Sequence, residues 1–489
     1  MQKPLLTTLA GLALVAVGTG IGGAWYTGGR LEGELRQAAS QAQAALQAQM
    51  PEYPLQLKLA DFQRGLFSST AVFSLSLQPE ESSSPVELLR VQDSIQHGPF
   101  PLARLKSLQL APVMAVNRFT LAETPAATAL FGLTKGADPV RLDATLGYDR
   151  GIDGQLLLAP LHLDQPQGAV AFSGLNASFR TDMDGRQLRL EGTVGQFSVN
   201  VRTPEGWTKL ELEGFGLTGD NHRNADGFWL GPGQLRLGRV SLAMPGKPEV
   251  QLQDLSLQGD TQQQGQRLSG TLNASLARLD IAGQTLGKAT LSSHYSNLDS
   301  PALAQLNTLL QHLQLDTEEG LDPTTQATLQ QQLNDVLAAR PQLVLDELRF
   351  DTANGSNLLR LDLTLDKPGT YDLPPAQLLA QMLTRLDARL SLARGSLVDA
   401  VLFQTGASRD QPALRQQAQT TAEALASIGL NSGLLKAEGD DLVASLAYAT
   451  GRLTLNGQEV PPERLLALLE RPQPPAPAPA KPQGKPPKR

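Results

Sequence analysis

The sequence points to an α+β, β-rich protein. It has an N-terminal transmembrane helix, a long antiparallel β-meander body, and helices concentrated in the C-terminal half. Three observations carry this. Residues 5–26 hold no charge. From about residue 54, apolar and polar side chains alternate over much of the chain. Helical spacing returns chiefly after residue 300. A chain of 489 residues is long enough for a sizeable core, and 41% apolar with 18% charged residues argues against wholesale disorder. The expected organisation is a membrane segment over 1–28, a helical stalk over 29–52, a β-rich region over 53–300, an α+β region over 301–470 and a disordered basic tail over 471–489.

The run at 5–26 spans about 33 Å as a helix, close to the roughly 30 Å of a bilayer's hydrocarbon core. Lys3 precedes it, and Trp25 and Tyr26 close it where amphipathic rings favour the interface. This reads as a signal anchor, longer than the apolar core of a cleaved signal peptide. The bulk of the chain is then exported, attached to the membrane by this helix. Gly18, Gly20 and Gly23 match a dinucleotide-loop pattern, but they lie inside the apolar run rather than between a strand and a helix. Gly18 and Gly22 suit close approach of two membrane helices, one route to a homodimer.

Residues 31–50 are rich in Ala, Gln, Leu and Glu, good helix formers, and Pro51 ends them. Their apolar content is mostly alanine, so a stalk is expected rather than a coiled coil. Beyond it Leu55, Leu57 and Leu59 alternate with polar residues, as do Phe73, Leu75 and Leu77, and Leu361, Leu363 and Leu365. Period two gives a strand one apolar and one wet face. Asp153-Gly154, Asp184-Gly185 and Asn456-Gly457 are the residue pairs that tight hairpin turns prefer. Helices are expected at 301–314, at 323–340 with Asp322 as N-cap and Pro323 in the first turn, at about 374–389 and 412–428, and over 461–470.

The tail from 471 is rich in Pro and Ala and carries only cations, so the rest of the chain is more acidic than the overall net charge of −7. An acidic body does not suit nucleic acid. With no cysteine there is no disulfide, thiol nucleophile or cysteine metal site. No phosphate-loop, zinc-protease or nucleophile-elbow motif occurs, and no cofactor is indicated. Asp182 and Asp184 resemble the start of a calcium loop, but Arg186 and Gln187 break the pattern, which leaves a hairpin turn. The histidines are His97, His162, His222, His294 and His312. His97 sits in Gln96-His97-Gly98-Pro99-Phe100-Pro101, where it is expected to tie down a loop while Phe100 plugs the core.

Several local patterns, taken in order, resemble one family. They are Gly23-Ala24-Trp25-Tyr26-Thr27-Gly28, Phe62-Gln63-Arg64-Gly65-Leu66-Phe67-Ser68-Ser69, His97-Gly98-Pro99-Phe100-Pro101, His294-Tyr295-Ser296-Asn297-Leu298-Asp299 and Gly451-Arg452-Leu453-Thr454-Leu455-Asn456-Gly457. Together they look like the YdgA-like family of bacterial envelope proteins, a family of unknown function. The resemblance implies an inner-membrane protein, single-pass, with its bulk in the periplasm of a Gram-negative bacterium, and it supplies no catalytic residues. The motif residues Arg64, Gly65, His97, Gly98, Pro99, Asn297, Asp299, Asn456 and Gly457 are of types that build turns, bends and caps. By architecture alone the chain is also similar to the AsmA- and TamB-like envelope proteins.

The expected function is non-enzymatic: a binding or scaffold protein of the cell envelope. A leucine-lined meander with few helices suggests an apolar groove for a lipid ligand. The alternative is an envelope hydrolase acting on glycan or cell-wall substrates, which requires a histidine sharing a cleft with Asp or Glu. Homodimers through sheet edges are a third expectation, because a long meander leaves edges to pair or protect.

Overall fold

The computed structural model describes residues 31–50, 53–65, 67–78, 85–312, 322–404 and 412–461. The expected transmembrane segment lies outside these residues, as do most of the helix expected over 461–470 and the whole basic tail. Among the described residues no helix is long and apolar enough to cross a membrane.

The chain opens with α1 (Leu31–Gln49) and β1 (Leu55–Arg64), β2 (Ser68–Leu77) and β3 (Val86–His97). Two short helices, α2 (Leu102–Lys106) and α3 (Thr128–Leu133), flank β4 (Ala115–Ala122). Then come β5 (Val140–Leu146), β6 (Gly151–Leu158), β7 (Leu161–Gln165), β8 (Gly168–Phe172) and β9 (Leu175–Asp182). The longest strands follow: β10 (Gln187–Thr203), β11 (Gly206–Arg223), β12 (Trp229–Ala243), β13 (Val250–Gln264), β14 (Arg267–Ile281) and β15 (Gln284–Asp299). After α4 (Ser300–His312) and α5 (Pro323–Leu337) come β16 (Gln342–Thr352), β17 (Gly355–Leu365), α6 (Pro375–Met382) and β18 (Leu383–Ala393). Next are α7 (Arg394–Gln404), α8 (Pro412–Asn431), β19 (Lys436–Glu438), β20 (Asp441–Ala449), β21 (Arg452–Leu455) and β22 (Gln458–Val460).

All 22 strands form one antiparallel sheet. Each strand generally pairs with the next, as tight turns and period-two alternation dictate. There are two local exceptions. In the first, β18 skips β19 to pair with β20, which also takes β19. The second lies at β6–β10. β6 pairs with β9 and β7 with β8, and both β8 and β9 lie along β10. β6–β7 and β8–β9 are thus two long strands interrupted at Pro160 and Gly174. Proline cannot donate to the ladder there. Gly174 has φ +97°, and a Cβ on it would sit 2.7 Å from the Leu158 carbonyl oxygen.

Register keeps the two faces chemically separate across the whole sheet. One row of directly opposed residues starts Phe62, Ala71, Asp93, Phe119, Leu142, Leu156 and Ala177. It continues through Gly192, Leu217, Leu235, Leu257, Ala274 and Leu291. It ends with Leu348, Leu359, Leu390 and Ala444. Asp93 is its one polar member. The neighbouring row on the other face runs Gln63, Thr70, Ser94, Arg118, Asp143, Gln155, Ser178, Glu191, Thr218, Gln234, Gln258, Asn273 and Ser292, polar throughout. Because the side-chain period is two, a one-residue slip anywhere would exchange the faces, so burial of one face fixes the register.

The main core sits at the N-terminal end of the apolar face. Leu35, Ala39 and Leu46 of α1 are buried with Leu57, Phe73, Val91, Ile95 and Phe119. α1 therefore lies on the body instead of standing free as a stalk. Its small alanine face allows close contact with the sheet. Gln43 also covers the edge of β1: its Oε1 accepts from the Leu57 N–H at 2.6 Å, and its Nε2 donates to the Leu55 carbonyl at 2.8 Å. α5 begins at the expected cap, with Asp322 Oδ1 accepting from Thr324 N at 3.0 Å and Thr325 N at 3.1 Å.

Other expectations are corrected. The helix expected at 374–389 stops at Met382, and β18 takes over because Leu386, Ala388, Leu390 and Leu392 alternate against β20. Asp153-Gly154 is no turn but part of β6, where the Phe179 ring occupies the space that a side chain on Gly154 would need. The turn lies at 147–150, with Arg150 at φ +63°. The ladder continues through residue 300, since β15 pairs with β16 around the inserted α4 and α5.

Candidate functional site

The apolar row changes character along the sheet. At β1–β5 it is buried, with α1 and the Ala127, Leu130 and Phe131 side chains of the α3 segment packed into the same core. Elsewhere the packed helices reach β7, β15, β16–β18 and β19. Among the described residues none of the four core clusters draws a side chain from β10–β14. There Leu217, Leu235, Leu257 and Ala274 are half-buried. Leu272, Leu343 and Leu348 on the same face keep 43%, 44% and 40% of their surface exposed. A continuous apolar face this open is uncommon. Crossing 17 strands at about 4.8 Å each, the row runs for roughly 75 Å.

The surface has relief. In the next row Gly219, Gly233 and Gly259 face one another across β11, β12 and β13. None of the three has a positive φ, so the backbone does not require glycine there. A Cβ on Gly233 would meet nothing nearer than the Thr218 carbonyl at 3.9 Å, and one on Gly259 nothing nearer than Thr271 O at 3.6 Å. Gly233 and Gly259 leave a slot between the leucine row and the strand ends, whereas at Gly219 the Asn221 amide nitrogen lies 2.7 Å from where a Cβ would be. Phe172 and Phe197 meet edge-to-face at 6.4 Å beside the β8–β10 pairing. Such a surface can hold long apolar groups by burial, with the Asn221 amide as a polar group at the Gly219 end of the slot.

The residues singled out by sequence do not gather at this face. Arg64 ends β1, and Gly65 follows where a Cβ would lie 2.2 Å from the Ser68 carbonyl oxygen. His97 Nε2 meets Ser69 Oγ at 2.9 Å. Partial burial, and then the Arg64 charge, hold the imidazole below its usual pKa. Gly98 has φ +95°, and the Pro99 carbonyl accepts from Val113 N. Phe100 does not plug the core: it is 53% exposed. Asn297 adopts φ +61° at a bulge in the β14–β15 pairing. Asp299 Oδ1 accepts from Ala302 N at 3.1 Å and so caps α4. Asn456 and Gly457, at φ +53° and +80°, form the two-residue turn between β21 and β22.

The remaining histidines are dispersed. His162 lies exposed in β7, His222 lies in β11, and His312 ends α4. His222 borders a polar hollow of about 470 Å³. The arginines of that hollow are already paired, Arg180 with Asp149 at 2.7 Å and Arg189 with Asp220 at 2.5 Å. His294 Nδ1 meets Asp346 Oδ2 at 2.8 Å, with both side chains about half exposed. Among the described residues no three His, Asp or Glu side chains are spaced to hold a metal ion. Asp182 Oδ1 accepts from Arg186 N and Gln187 N, the hydrogen bonding of a turn.

The profile of a family described as "Bacterial protein of unknown function (DUF945)" matches residues 1–463. The chain belongs to this family. It is 29% identical over 499 aligned positions to Protein YdgA of Escherichia coli (strain K12), covering 96% of this chain and 97% of that protein. It is 19% identical to Uncharacterized protein YihF of the same organism, over 92% of this chain and 96% of that one. An uncharacterized protein of Haemophilus influenzae is 21% identical over 62% of this chain and 84% of its own length. The resemblance to the YdgA-like family is thereby confirmed, and the DUF945 match takes in every motif on which it rested. The open slot of Gly219, Gly233 and Gly259 was not foreseen. Each glycine is visible in the sequence, but only the hairpin registers bring them together.

Proposed function

We propose that this DUF945 protein is a non-enzymatic binding protein of the bacterial cell envelope that seats acyl chains on the open apolar face of β10–β14. The carrying observation is the leucine-rich row, covered at β1–β5 and without a helix packed against it at β10–β14 among the described residues. A face meant only for folding would be sealed by helices along its whole length. Half-buried leucines without a helical cover favour a ligand that is long, flexible and apolar, as each methylene placed on such a surface contributes about 0.8 kcal/mol. The uncharged run 5–26 supports attachment to the inner membrane with the bulk in the periplasm, where acyl lipids are at hand.

Native mass spectrometry of the purified body, with organic extraction of what accompanies it, tests this. The expected result is a phospholipid or other acyl ligand retained in fixed stoichiometry, and lost when Leu235→Glu and Leu257→Glu place charge on the face. A body that carries no acyl ligand removes the reading. The competing envelope hydrolase draws on the His294–Asp346 contact alone. It requires glycan-cleaving activity that disappears in Asp346→Asn.

A further inference from the structure

The end of the sheet around the His97-Gly98-Pro99 segment exposes apolar side chains that the acyl-binding face does not use. Phe67, Phe100, Leu102, Leu105, Leu108 and Leu110 are 74%, 53%, 67%, 37%, 85% and 66% exposed. They belong together, because the His97 N–H donates to the Phe67 carbonyl and Val113 N to the Pro99 carbonyl, which folds 98–113 back beside the β1–β2 turn. Leu108 is also in a costly conformation. Its N–H donates to the Leu105 carbonyl and Gln109 N–H to the Arg104 carbonyl, so it fills the position after the helix cap where glycine is usual. It does so at φ +57°. A leucine held in that conformation and left in water serves no packing need, and such outliers point to function.

The two segments that carry these side chains hold charge of one sign, with Asp61 bordering Phe62 and Glu32, ion-paired to Arg36, at the same end. Residues 62–69 and 94–114 contain Arg64, Arg104 and Lys106 and no Asp or Glu. No ion pair joins these three cations to a carboxylate among the described residues. The chain also enters here. Gln43 bonds to Leu55 and Leu57 at the start of β1, so α1 runs back along β1. From Gln43 to Leu31 it rises about 18 Å, the length of five or six strand residues. That brings Leu31 level with Phe62–Arg64, and Leu35 and Phe62 share one core cluster. The uncharged run 5–26 therefore joins the body at the same end as the exposed patch.

We propose that this patch is a foot that docks on the surface of an anionic phospholipid membrane, Phe67, Phe100 and Leu108 entering the acyl boundary while Arg64, Arg104 and Lys106 meet phosphates. Interfacial binding of this kind combines buried apolar area with electrostatic attraction of each cation to the anionic surface. The inference rests on the membrane attachment proposed above, and it fixes how the body stands relative to the bilayer.

The absence of cysteine permits a clean test. Full-length chain carrying Leu108→Cys, or Glu205→Cys in the β10–β11 turn at the opposite strand ends, is labelled with a nitroxide and reconstituted into phosphatidylethanolamine–phosphatidylglycerol vesicles. Accessibility to oxygen is compared with accessibility to a water-soluble nickel complex. The expected result is a lipid-immersed label at 108 and an aqueous one at 205. The label at 108 should return to water with Arg104→Glu and Lys106→Glu together, while flotation with the vesicles persists. An aqueous label at 108 in a chain that floats overturns the foot and leaves the membrane attachment standing. A chain that does not float removes both. Dipolar broadening between labels at 108 overturns the foot in favour of contact with a second copy.

Discussion

Asp93 and Asn117 share a single hydrogen bond within the buried end of the apolar face: Asn117 Nδ2 donates to Asp93 Oδ2 at 2.9 Å. Asp93 is fully buried, and its Oδ1 has no hydrogen-bond partner. Burial, only partly offset by Asn117, pushes its carboxyl up to about 8. The group is therefore a neutral acid at pH 7, which is how a carboxyl can stand in an otherwise apolar row.

This sets a pH dependence of unusual sign. The unfolded chain loses this proton near pH 4 and the folded chain near pH 8, so between them the folded state holds the extra proton. Stability falls as pH rises through that window, on the order of 1 kcal/mol per unit. Below it the contribution is complete, and above it the loss is complete. Asp93→Asn should flatten the slope and make the protein more stable than the parent at pH 9. Urea melts at intervals from pH 5 to 9 decide the matter; parallel curves for the two proteins would show that another group titrates.

Gln43 stands in for a missing strand at the edge of β1. Its amide makes the two bonds that a neighbouring strand would make to Leu55 and Leu57. Gln43→Ala should cost about 2 kcal/mol, the net worth of two part-buried hydrogen bonds. It should also open the edge to self-association. Hydrogen exchange at the Leu57 amide should speed up first, and sedimentation at rising concentration should then show dimers. Unchanged exchange at Leu57 would mean that α1 packing protects the edge without the glutamine.

Much of this architecture could be read from alternation alone. Leu361, Leu363 and Leu365 announce a strand, and the structure pairs them with Leu345, Leu343 and Pro341–Gln342 of the preceding strand region as period two requires. Asp322 and Pro323 announce a helix start because capping is a local event. Two kinds of feature stayed hidden. The first part of β18 falls within the helix expected over 374–389, because Leu383 and Leu386 also fit helical spacing when continued from α6; only the β20 partner resolves the ambiguity. The exposure of Phe100 was hidden too. An aromatic between prolines looks like a core plug, and only the folded-back 98–113 segment shows that its neighbours are solvent and other exposed apolar side chains.

Asn456 is the most fully used polar side chain at the C-terminal end of the sheet. Its Nδ2 donates to the Gly433 and Leu434 carbonyls at 3.0 Å each, and its Oδ1 accepts from Ser445 N at 2.9 Å. The residue also holds φ +53°, which asparagine tolerates better than alanine. Asn456→Ala should cost about 3 kcal/mol or more, from stranded backbone groups plus conformational strain. Asn456→Asp keeps the acceptor and the turn preference but loses both donors, so it should fall between. Thermal melts that rank the three proteins otherwise would place the stability of this turn in Gly457 alone.

The slot at Gly219, Gly233 and Gly259 separates a ligand site from a merely apolar surface. A side chain at Gly233 has room, with the nearest atom at 3.9 Å, so Gly233→Leu should fold and melt close to the parent. It fills the slot and adds apolar surface, and the two views of the face then predict opposite results. If the face binds acyl chains through the space the glycines leave, occupancy by co-purified lipid should drop at least tenfold, a change of about 1.4 kcal/mol. If lipid adheres only because the surface is apolar, the added leucine should raise occupancy. Gln234→Leu, one residue on and on the polar face, adds the same side chain without touching the slot and should leave occupancy unchanged. Mass-spectrometric lipid stoichiometry of the three proteins reads the difference directly. A rise in Gly233→Leu would replace a shaped site with general stickiness.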